Sequence, residues 1–208
     1  MSAARCTALL GALYLAALSG CVVTTHEGQG EPPRVLVLSS PAPREGKSTV
    51  TAHLAVALAE IGCRVLAIDA DLRKASLHKK LDIPNDVGLT NFLAGDIKPI
   101  EMTKACRVLG VFVVPSGPLP PNPAELIASN KMVAFLNLAA EKFDQIIIDG
   151  PPVLGLADAP LLGSLADATV LVVEANGTSR GFVRNAAKRL RSTRTRLLGG
   201  ILTKLDPR

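Results

Sequence analysis

The sequence predicts an α/β fold with a doubly wound, mostly parallel sheet and helices on both faces. Three observations support this prediction. Short apolar runs alternate with helical patterns through a single domain at residues 34–208. The runs are apolar at every position rather than at alternate ones, as in parallel strands that helices cover on both faces. Several runs end in polar residues, and such sheets bind ligands at the carboxyl ends of their strands.

Six apolar runs are predicted as strands. They are Val35–Leu38, Val65–Ile68, Val111–Val114, Ile146–Ile148, Ala168–Val173 and Leu197–Leu202. A helix is predicted over Lys47–Ile61, because Val50 and Leu54 share one stripe with later apolar residues and a glycine follows. A second helix is predicted over Ala124–Lys142, after a proline-rich loop, and a third over residues 180–192.

The composition excludes several classes of protein. Of the 208 residues, 48% are apolar and 20% are charged, so the chain can build a core and is not intrinsically disordered. Aromatic residues make up 3% of the chain, which excludes the stacking surfaces of single-stranded nucleic-acid binders, and no nucleic-acid partner is expected. Cys63 and Cys106 are isolated and lack metal-ligand spacing, so a reducing environment suits them.

Residues 1–25 resemble an apolar signal or anchor segment. Arg5 precedes an uncharged stretch with an apolar centre at Ala8–Leu18, and the residues up to Cys21 resemble a bacterial lipoprotein cleavage box. The apolar centre is shorter than the roughly 20 residues of a membrane span. Three interpretations stay open: a cleaved or lipidated signal, a marginal anchor, and a mis-assigned start. Residues 26–33 read as a polar linker.

Positive charge concentrates near the carboxyl end. The formal net charge is +5, and nine lysines and arginines lie between Arg180 and Arg208 against one acid, Asp206. A basic helix of this kind can face water, an anionic membrane or an acidic partner.

The residues after the first predicted strand read as a phosphate-binding loop. Gly46, Lys47 and Ser48 stand between a strand and a helix, where backbone N–H groups and the helix dipole bind phosphate oxygens. The lysine adds a cation at the β- and γ-phosphates, and the serine hydroxyl is a ligand for Mg²⁺. The residues expected to bind the nucleotide are Pro43, Arg44, Glu45, Gly46, Lys47, Ser48 and Thr49.

Two further strand ends carry carboxylates. Asp69 and Asp71 follow the second strand, where they either point to opposite faces or both lie at the strand end. Clustered carboxylates repel each other, so either a divalent cation lies between them or one acts as a base. Asp149 ends another apolar strand, an arrangement in which the carboxylate holds Mg²⁺. Together these sites predict a nucleoside triphosphate and Mg²⁺ as cofactors.

The domain resembles the cytoplasmic catalytic domain of the bacterial tyrosine kinases that work with capsule and exopolysaccharide co-polymerases. The resemblance rests on the loop Pro41–Ser48, on Asp69–Arg73, on Asp149–Val153 and on the proline-rich stretch Ser116–Leu126. It implies a P-loop NTPase fold, ATP and Mg²⁺ as cofactors, and phosphoryl transfer to tyrosine in polysaccharide biosynthesis and export.

The resemblance also implies residue roles. Lys47 would contact the transferring phosphoryl group, Asp69 would be the base for an incoming tyrosine hydroxyl, and both are expected to be catalytic together with Asp71. The implied metal ligands are Ser48, Asp71 and Asp149. The implied partners are a membrane polysaccharide co-polymerase, a tyrosine-bearing acceptor protein and further copies of the chain, at the cytoplasmic face of the inner membrane. The export-like segment at the start of the chain conflicts with that location.

The sequence departs from the family pattern at four places. Arg44 stands where glycine is common, and Thr203 stands where asparagine is common. Residues 26–33 are too short for the helix that the family places before the first strand. The tyrosine cluster that is common at the carboxyl end is missing, since the one tyrosine is Tyr14. Two other functions therefore stay open. One is a switch ATPase of the partitioning or septum-positioning type, and the other is a non-catalytic ATP-binding regulator of a co-polymerase.

Overall fold

The computed structural model describes the backbone of residues 22–25 together with residues 33–193 and 195–205. Its strands are β1 (Val22–Thr25), β2 (Val35–Ser39), β3 (Val65–Asp69), β4 (Lys104–Ala105), β5 (Val111–Val114), β6 (Gln145–Asp149), β7 (Ala168–Glu174) and β8 (Leu197–Thr203). They form one sheet in the order β1-β8-β7-β2-β6-β3-β5-β4. The six inner strands are parallel, and β1 and β4 pair antiparallel at the two edges. The predicted doubly wound sheet is confirmed.

Eight helices connect the strands in the described part of the chain. They are α1 (Lys47–Glu60), α2 (Leu77–Lys80), α3 (Leu89–Ala94), α4 (Pro99–Met102), α5 (Pro123–Ile127), α6 (Asn130–Lys142), α7 (Asp158–Leu165) and α8 (Arg180–Arg191). None of them is long and apolar enough to cross a membrane.

The central strands are buried along their whole length because helices cover both faces of the sheet. Every residue of β2, β3 and β6 is buried. Successive side chains of a strand point to opposite faces. Leu36 and Leu38 accordingly pack with α1, whereas Val35 and Val37 pack with α6 and α7. Each such aliphatic side chain contributes about 1.5–3 kcal/mol on burial, so the strand ends that carry the site rest on a rigid base.

The predicted helix over Ala124–Lys142 was wrong in one respect, because the chain forms two helices there. The first, α5, ends at Ile127, and α6 begins after Ser129. The Ser129 hydroxyl accepts a hydrogen bond from the Met132 N–H, which makes the serine the N-cap of a new helix. The apolar periodicity continues through this break and concealed it.

The sheet also takes in residues from outside the predicted domain. Strand β1 lies within the predicted N-terminal segment, and Val22 pairs with Leu202 while Thr25 pairs with Gly199. No strand was predicted there. The lipoprotein-like box and nearly all of the predicted linker lie outside the described residues, so those interpretations stay predictions.

Candidate active site

The loop between β2 and α1 forms the predicted phosphate-binding turn. Gly46 has φ +93° and precedes the first helical residue, Lys47, and its carbonyl accepts the first helical hydrogen bond, from Val50 N–H at 2.9 Å. Glycine adopts this left-handed conformation without steric cost. Arg44 has φ +67°, in the same region, where a non-glycine residue costs about 1–2 kcal/mol. This conformation explains physically why a glycine would suit that position.

Glu45 stabilises the loop from inside the protein. Its side chain is buried, and its carboxylate accepts hydrogen bonds from Ala42 N–H at 2.7 Å and from Glu174 N–H at 3.0 Å. Its backbone carbonyl accepts a third from the Thr203 hydroxyl at 2.7 Å. Glu45 was predicted as a nucleotide-binding residue; its buried carboxylate does not line the phosphate cleft and ties the loop to β7, while its backbone carbonyl ties the loop to β8. Thr203 packs beneath the same loop.

Lys47 and Ser48 open the first turn of α1 and line the cleft. Lys47 is only 7% exposed, so its position is fixed by packing against the loop. The Ser48 hydroxyl lies 2.6 Å from the Ser76 hydroxyl, which joins the loop after β2 to the loop after β3. Both predicted phosphate-site residues therefore face the same space as the residues that follow β3.

Asp69 is the last residue of β3, and its carboxylate is buried. Its Oδ2 accepts hydrogen bonds from the backbone N–H groups of Ser76 at 3.1 Å and Leu77 at 3.0 Å. Its Oδ1 is buried with no hydrogen-bond partner. Burial above all, and then the charges of Asp149 and Asp71, raise the pKa of Asp69 to about 8, against the lowering effect of the two N–H donors.

His78 lies beside this carboxylate but does not neutralise it. Its Nδ1 is 3.9 Å from Asp69 Oδ2. Burial, and next the positive charge of Lys79, lower the pKa of His78, so the imidazole is neutral at physiological pH.

Asp149 is the last residue of β6, which pairs with β3, and it lies beside Asp69 in the register of the two strands. It is fully buried, and both of its carboxylate oxygens lack hydrogen-bond partners. Burial raises the pKa of Asp149 to about 7. The Ser48 hydroxyl, which approaches the carboxylate without forming a well-aligned hydrogen bond, and the charge of Lys47 oppose the rise, and Asp71 adds to it. An ionised carboxylate in such surroundings requires a cation.

Asp71 lies just beyond the end of β3, so the two carboxylates after this strand lie at the strand end rather than on opposite faces. Its Oδ1 accepts a hydrogen bond from Lys74 N–H at 3.0 Å, and it lines the cleft. Among the described residues no three His, Cys, Asp or Glu side chains are close enough to hold a metal ion by themselves. Mg²⁺ binds proteins through one or two carboxylates, while phosphates and water complete its shell.

The cleft above these residues has a volume of about 880 Å³, which falls in the range for nucleotide-sized ligands. Its lining residues are Pro43, Arg44, Gly46, Lys47, Ser48, Thr49, Asp71, Arg73, Lys74, Ser76, Lys80, Pro152, Leu154, Gly155, Leu156 and Lys204. Apart from Glu45, every predicted nucleotide-binding residue is among them. Six of these residues are cationic and one is acidic, so the cleft attracts anions.

Two ion pairs at the cleft were missed by sequence reasoning. Arg73 donates from Nε to Asp158 Oδ2 at 2.9 Å, and Asp158 is buried at the start of α7. Lys204 donates to Glu174 Oε2 at 2.7 Å and to the Arg44 carbonyl at 3.0 Å. The two residues of each ion pair are 85 and 30 residues apart in the sequence, so no local pattern predicts these contacts. The one available signal was that Arg73 directly follows the acidic motif, which indicates that it lies near the site.

The comparisons with known proteins agree with this geometry. A family model described as an AAA domain matches residues 44–196. The tyrosine-protein kinase YwqD of Bacillus subtilis (strain 168) is 40% identical over 167 residues, which cover 80% of this chain and 70% of the relative. The putative tyrosine-protein kinase CapB of Staphylococcus aureus is 35% identical over 170 residues, which cover 82% and 75%.

A solved structure agrees as well. The kinase domain of the Escherichia coli tyrosine kinase ETK superposes with a TM-score of 0.82 at 30% identity, over 84% of this chain and 69% of that one. Sequence identity at this level across most of both chains, on a shared fold, reflects common descent. The chain therefore belongs to the bacterial tyrosine-protein kinase family, as its motifs predicted.

Proposed function

We propose that this protein is a Mg²⁺-dependent kinase that transfers the γ-phosphoryl group of ATP to the hydroxyl of a tyrosine. The observation that carries the proposal is that three neighbouring strands, β2, β6 and β3, end at one edge of the sheet, where Lys47 lines the cleft and Asp69 and Asp149 lie buried beside it. The loop after β2 contributes Lys47, β3 ends in Asp69, and β6 ends in Asp149. Membership of the kinase family supports the same activity.

ATP binds through the loop and the first turn of α1. The backbone N–H groups at the start of this 14-residue helix have no intrahelical partner and meet the phosphates, which the helix dipole also attracts. Lys47 neutralises charge on the β- and γ-phosphates. Phosphoryl transfer depends on positioning and charge neutralisation, so the rigidity that Glu45 gives to the loop contributes directly to the rate.

The Mg²⁺ ligands we assign are Ser48, Asp71 and Asp149. The unpartnered, buried oxygens of Asp149 are the observation that supports the assignment. Bound Mg²⁺ neutralises charge on the phosphates and aligns them for transfer. With a cation present, the ionised form of Asp149 is favoured, and its pKa falls from the raised value of the free site.

Asp69 is the residue we assign as the base. Two backbone N–H groups hold its Oδ2, and its Oδ1 remains for the tyrosine proton. In the reaction, the tyrosine O–H bond breaks as Oδ1 takes the proton, and the tyrosine oxygen forms a bond to the γ-phosphorus. The bond from that phosphorus to the bridging oxygen breaks, and ADP leaves. The acid form of Asp69 then returns its proton to solvent.

The acceptor and the cellular setting follow from the family. We propose that the acceptor tyrosine lies on another polypeptide, either a separate protein or the tail of a partner. We also propose that the kinase acts in surface polysaccharide export, with a membrane co-polymerase as partner at the cytoplasmic face of the membrane. A relative from Klebsiella pneumoniae, named as a putative tyrosine-protein kinase in the cps region, supports this setting.

The test is transfer from γ-labelled ATP to a tyrosine peptide by the full chain in the presence of Mg²⁺. We expect label on the tyrosine with the wild type and at least a hundredfold less with Lys47→Met, which removes the cation at the phosphates. Release of free phosphate without labelled peptide would instead indicate the switch ATPase. A chain that binds no ATP would be the non-catalytic regulator.

A further inference from the structure

Several cations line the cleft besides the lysine of the phosphate loop. They are Arg44, Arg73, Lys74, Lys80 and Lys204. Mg²⁺ already neutralises much of the triphosphate charge. Cations of the cleft that pair with no acidic side chain of the protein can therefore bind a further anion.

The cations divide into two groups on either side of the phosphate loop. The sheet order places β7 and β8 on one side of β2, and β6 and β3 on the other. On the β8 side, Lys204 is already paired with Glu174 and supports the Arg44 carbonyl. Its charge is used within the protein.

On the β3 side, Arg73, Lys74 and Lys80 form a group that we call the basic rim. All three are exposed. Among the described residues, Lys74 and Lys80 form no ion pair with an acidic side chain. Arg73 is paired at Nε with buried Asp158, which uses part of its charge and fixes the direction of its guanidinium, so the two lysines supply the unpaired charge of the rim.

The basic rim belongs to the same short segment that holds the candidate base. Ser76 and Leu77, which donate their N–H groups to Asp69, lie between Lys74 and Lys80. A tyrosine that reaches Asp69 brings its neighbouring residues over this segment. The rim therefore attracts or repels those neighbours according to their charge.

We propose that the basic rim binds carboxylates that flank the acceptor tyrosine, so that the enzyme phosphorylates tyrosines within acidic segments. The inference rests on the proposed kinase function and adds the chemical class of its protein substrate. Rim contacts of this kind are solvent-exposed and screened by salt. They set the choice of acceptor rather than the chemistry of transfer.

The experiment compares two peptides that differ only in charge, one with glutamates and one with lysines on both sides of a central tyrosine. The readout is the ratio of kcat/KM for the two peptides. Two or three exposed charge contacts predict a preference for the acidic peptide of about tenfold at low salt. We expect the preference to fall to about twofold in roughly 0.5 M salt.

The double variant Lys74→Glu/Lys80→Glu tests whether the rim is responsible. We expect it to reverse the preference, because glutamates on the rim repel the acidic peptide and attract the basic one. The ratio compares two peptides with the same enzyme, so it does not depend on the overall rate. Lys79→Glu is the matched control, since Lys79 is exposed on the same helix but does not line the cleft. It should leave the preference within about twofold of the wild type.

Three results would overturn the inference: equal use of both peptides by the wild type, a preference that survives the double charge reversal, and a reversal produced equally by Lys79→Glu. Binding of the same peptides with phenylalanine in place of tyrosine to the Mg-ADP complex measures the preference without transfer. If neither tyrosine peptide is labelled although the acidic phenylalanine peptide binds more tightly, the kinase function fails and the acidic binding site stands. If both tyrosine peptides are labelled equally, the kinase function stands and this inference fails.

Discussion

The buried carboxylate of Asp149 makes one prediction unusually sharp: replacing it by asparagine should stabilise the nucleotide-free protein and abolish its use of Mg²⁺. The site holds a carboxylate that has no hydrogen-bond partner and no exposure to water. Such a group is costly in the free protein and useful only when a cation binds. Function and stability therefore oppose each other at this residue.

The magnitude follows from the pKa. A rise from 3.8 to about 7 corresponds to about 4 kcal/mol of destabilisation once the group is ionised in both states. An asparagine amide would still leave buried polar atoms without partners, at a cost of about 1–3 kcal/mol. The net gain expected for Asp149→Asn is about 2 kcal/mol, or about 4–8 °C in Tm for a chain of this size.

The sign of the pH dependence is fixed by the direction of the shift. Because the pKa of Asp149 is higher in the folded state, the folded protein binds more protons than the unfolded one between about pH 4 and pH 7. The stability associated with the protonated group is fully present below the unfolded pKa and is lost as the pH rises through about 7. The advantage of the asparagine variant should therefore be small at pH 5 and largest at pH 8.

The assay is thermal unfolding of both proteins from pH 5 to pH 8 without nucleotide, repeated with Mg-ATP. Asp96→Asn, at an exposed aspartate in the turn after α3, is the matched control and should shift Tm by less than about 1 °C. Mg-ATP should raise the Tm of the wild type and leave Asp149→Asn unchanged. A difference in Tm that does not change with pH, or a destabilised asparagine variant at pH 8, would show that an unpaired ionised carboxylate at residue 149 does not destabilise the free protein.

Three further predictions concern the neighbouring groups. Binding of Mg-ATP near pH 7 should release about one proton per chain from Asp69 and Asp149, because their pKa values lie at about 8 and about 7 in the free site. Calorimetry in buffers of different ionisation enthalpy measures the number of protons released, and a release that persists unchanged at pH 9 would contradict the prediction. Glu45→Gln should lower Tm by about 4–8 °C, because an amide NH₂ would face one of two backbone donors at a cost of about 2 kcal/mol. Glu60→Gln, at an exposed site, is the control. If Glu45→Gln melted at the same temperature as the wild type, Glu45 would not stabilise the loop. Asp158→Asn should raise the KM for the acidic peptide more than it lowers kcat, because the substitution breaks the ion pair that holds the Arg73 guanidinium in place. A loss confined to kcat would show that Asp158 does not position Arg73 for peptide binding.

The inner sheet and the main site residues were predictable because their signals are local. Continuous apolar runs encode buried parallel strands, and a glycine-lysine-serine sequence between strand and helix encodes a phosphate loop. Asp149 could be placed because an apolar strand carries its carboxylate to a known edge of the sheet. In each case neighbouring residues contain the information.

The remaining features depend on contacts between distant parts of the chain. The Glu45 carboxylate turns inward because Glu174 N–H, 129 residues away, meets it. Asp158 does not line the cleft itself but acts on it through its ion pair with Arg73, 85 residues away. Strand β1 pairs with β8 at the far end of the sequence. None of these contacts has a local sequence signature. The break at Ser129 is different, because the serine caps α6 through a local contact with the Met132 N–H, but the apolar periodicity that continues across the break concealed this signal.

If Asp69 takes the proton of an acceptor tyrosine, replacing it must slow transfer without removing nucleotide binding, and a comparison of Asp69→Asn with the wild type tests this in two measurements. The first is the rate of phosphotyrosine formation on an acidic peptide at saturating Mg-ATP, and the second is the affinity for Mg-ADP. We expect the variant to transfer phosphate about 10²–10⁴-fold more slowly while it still binds Mg-ADP. Undiminished phosphotyrosine formation by Asp69→Asn would contradict it.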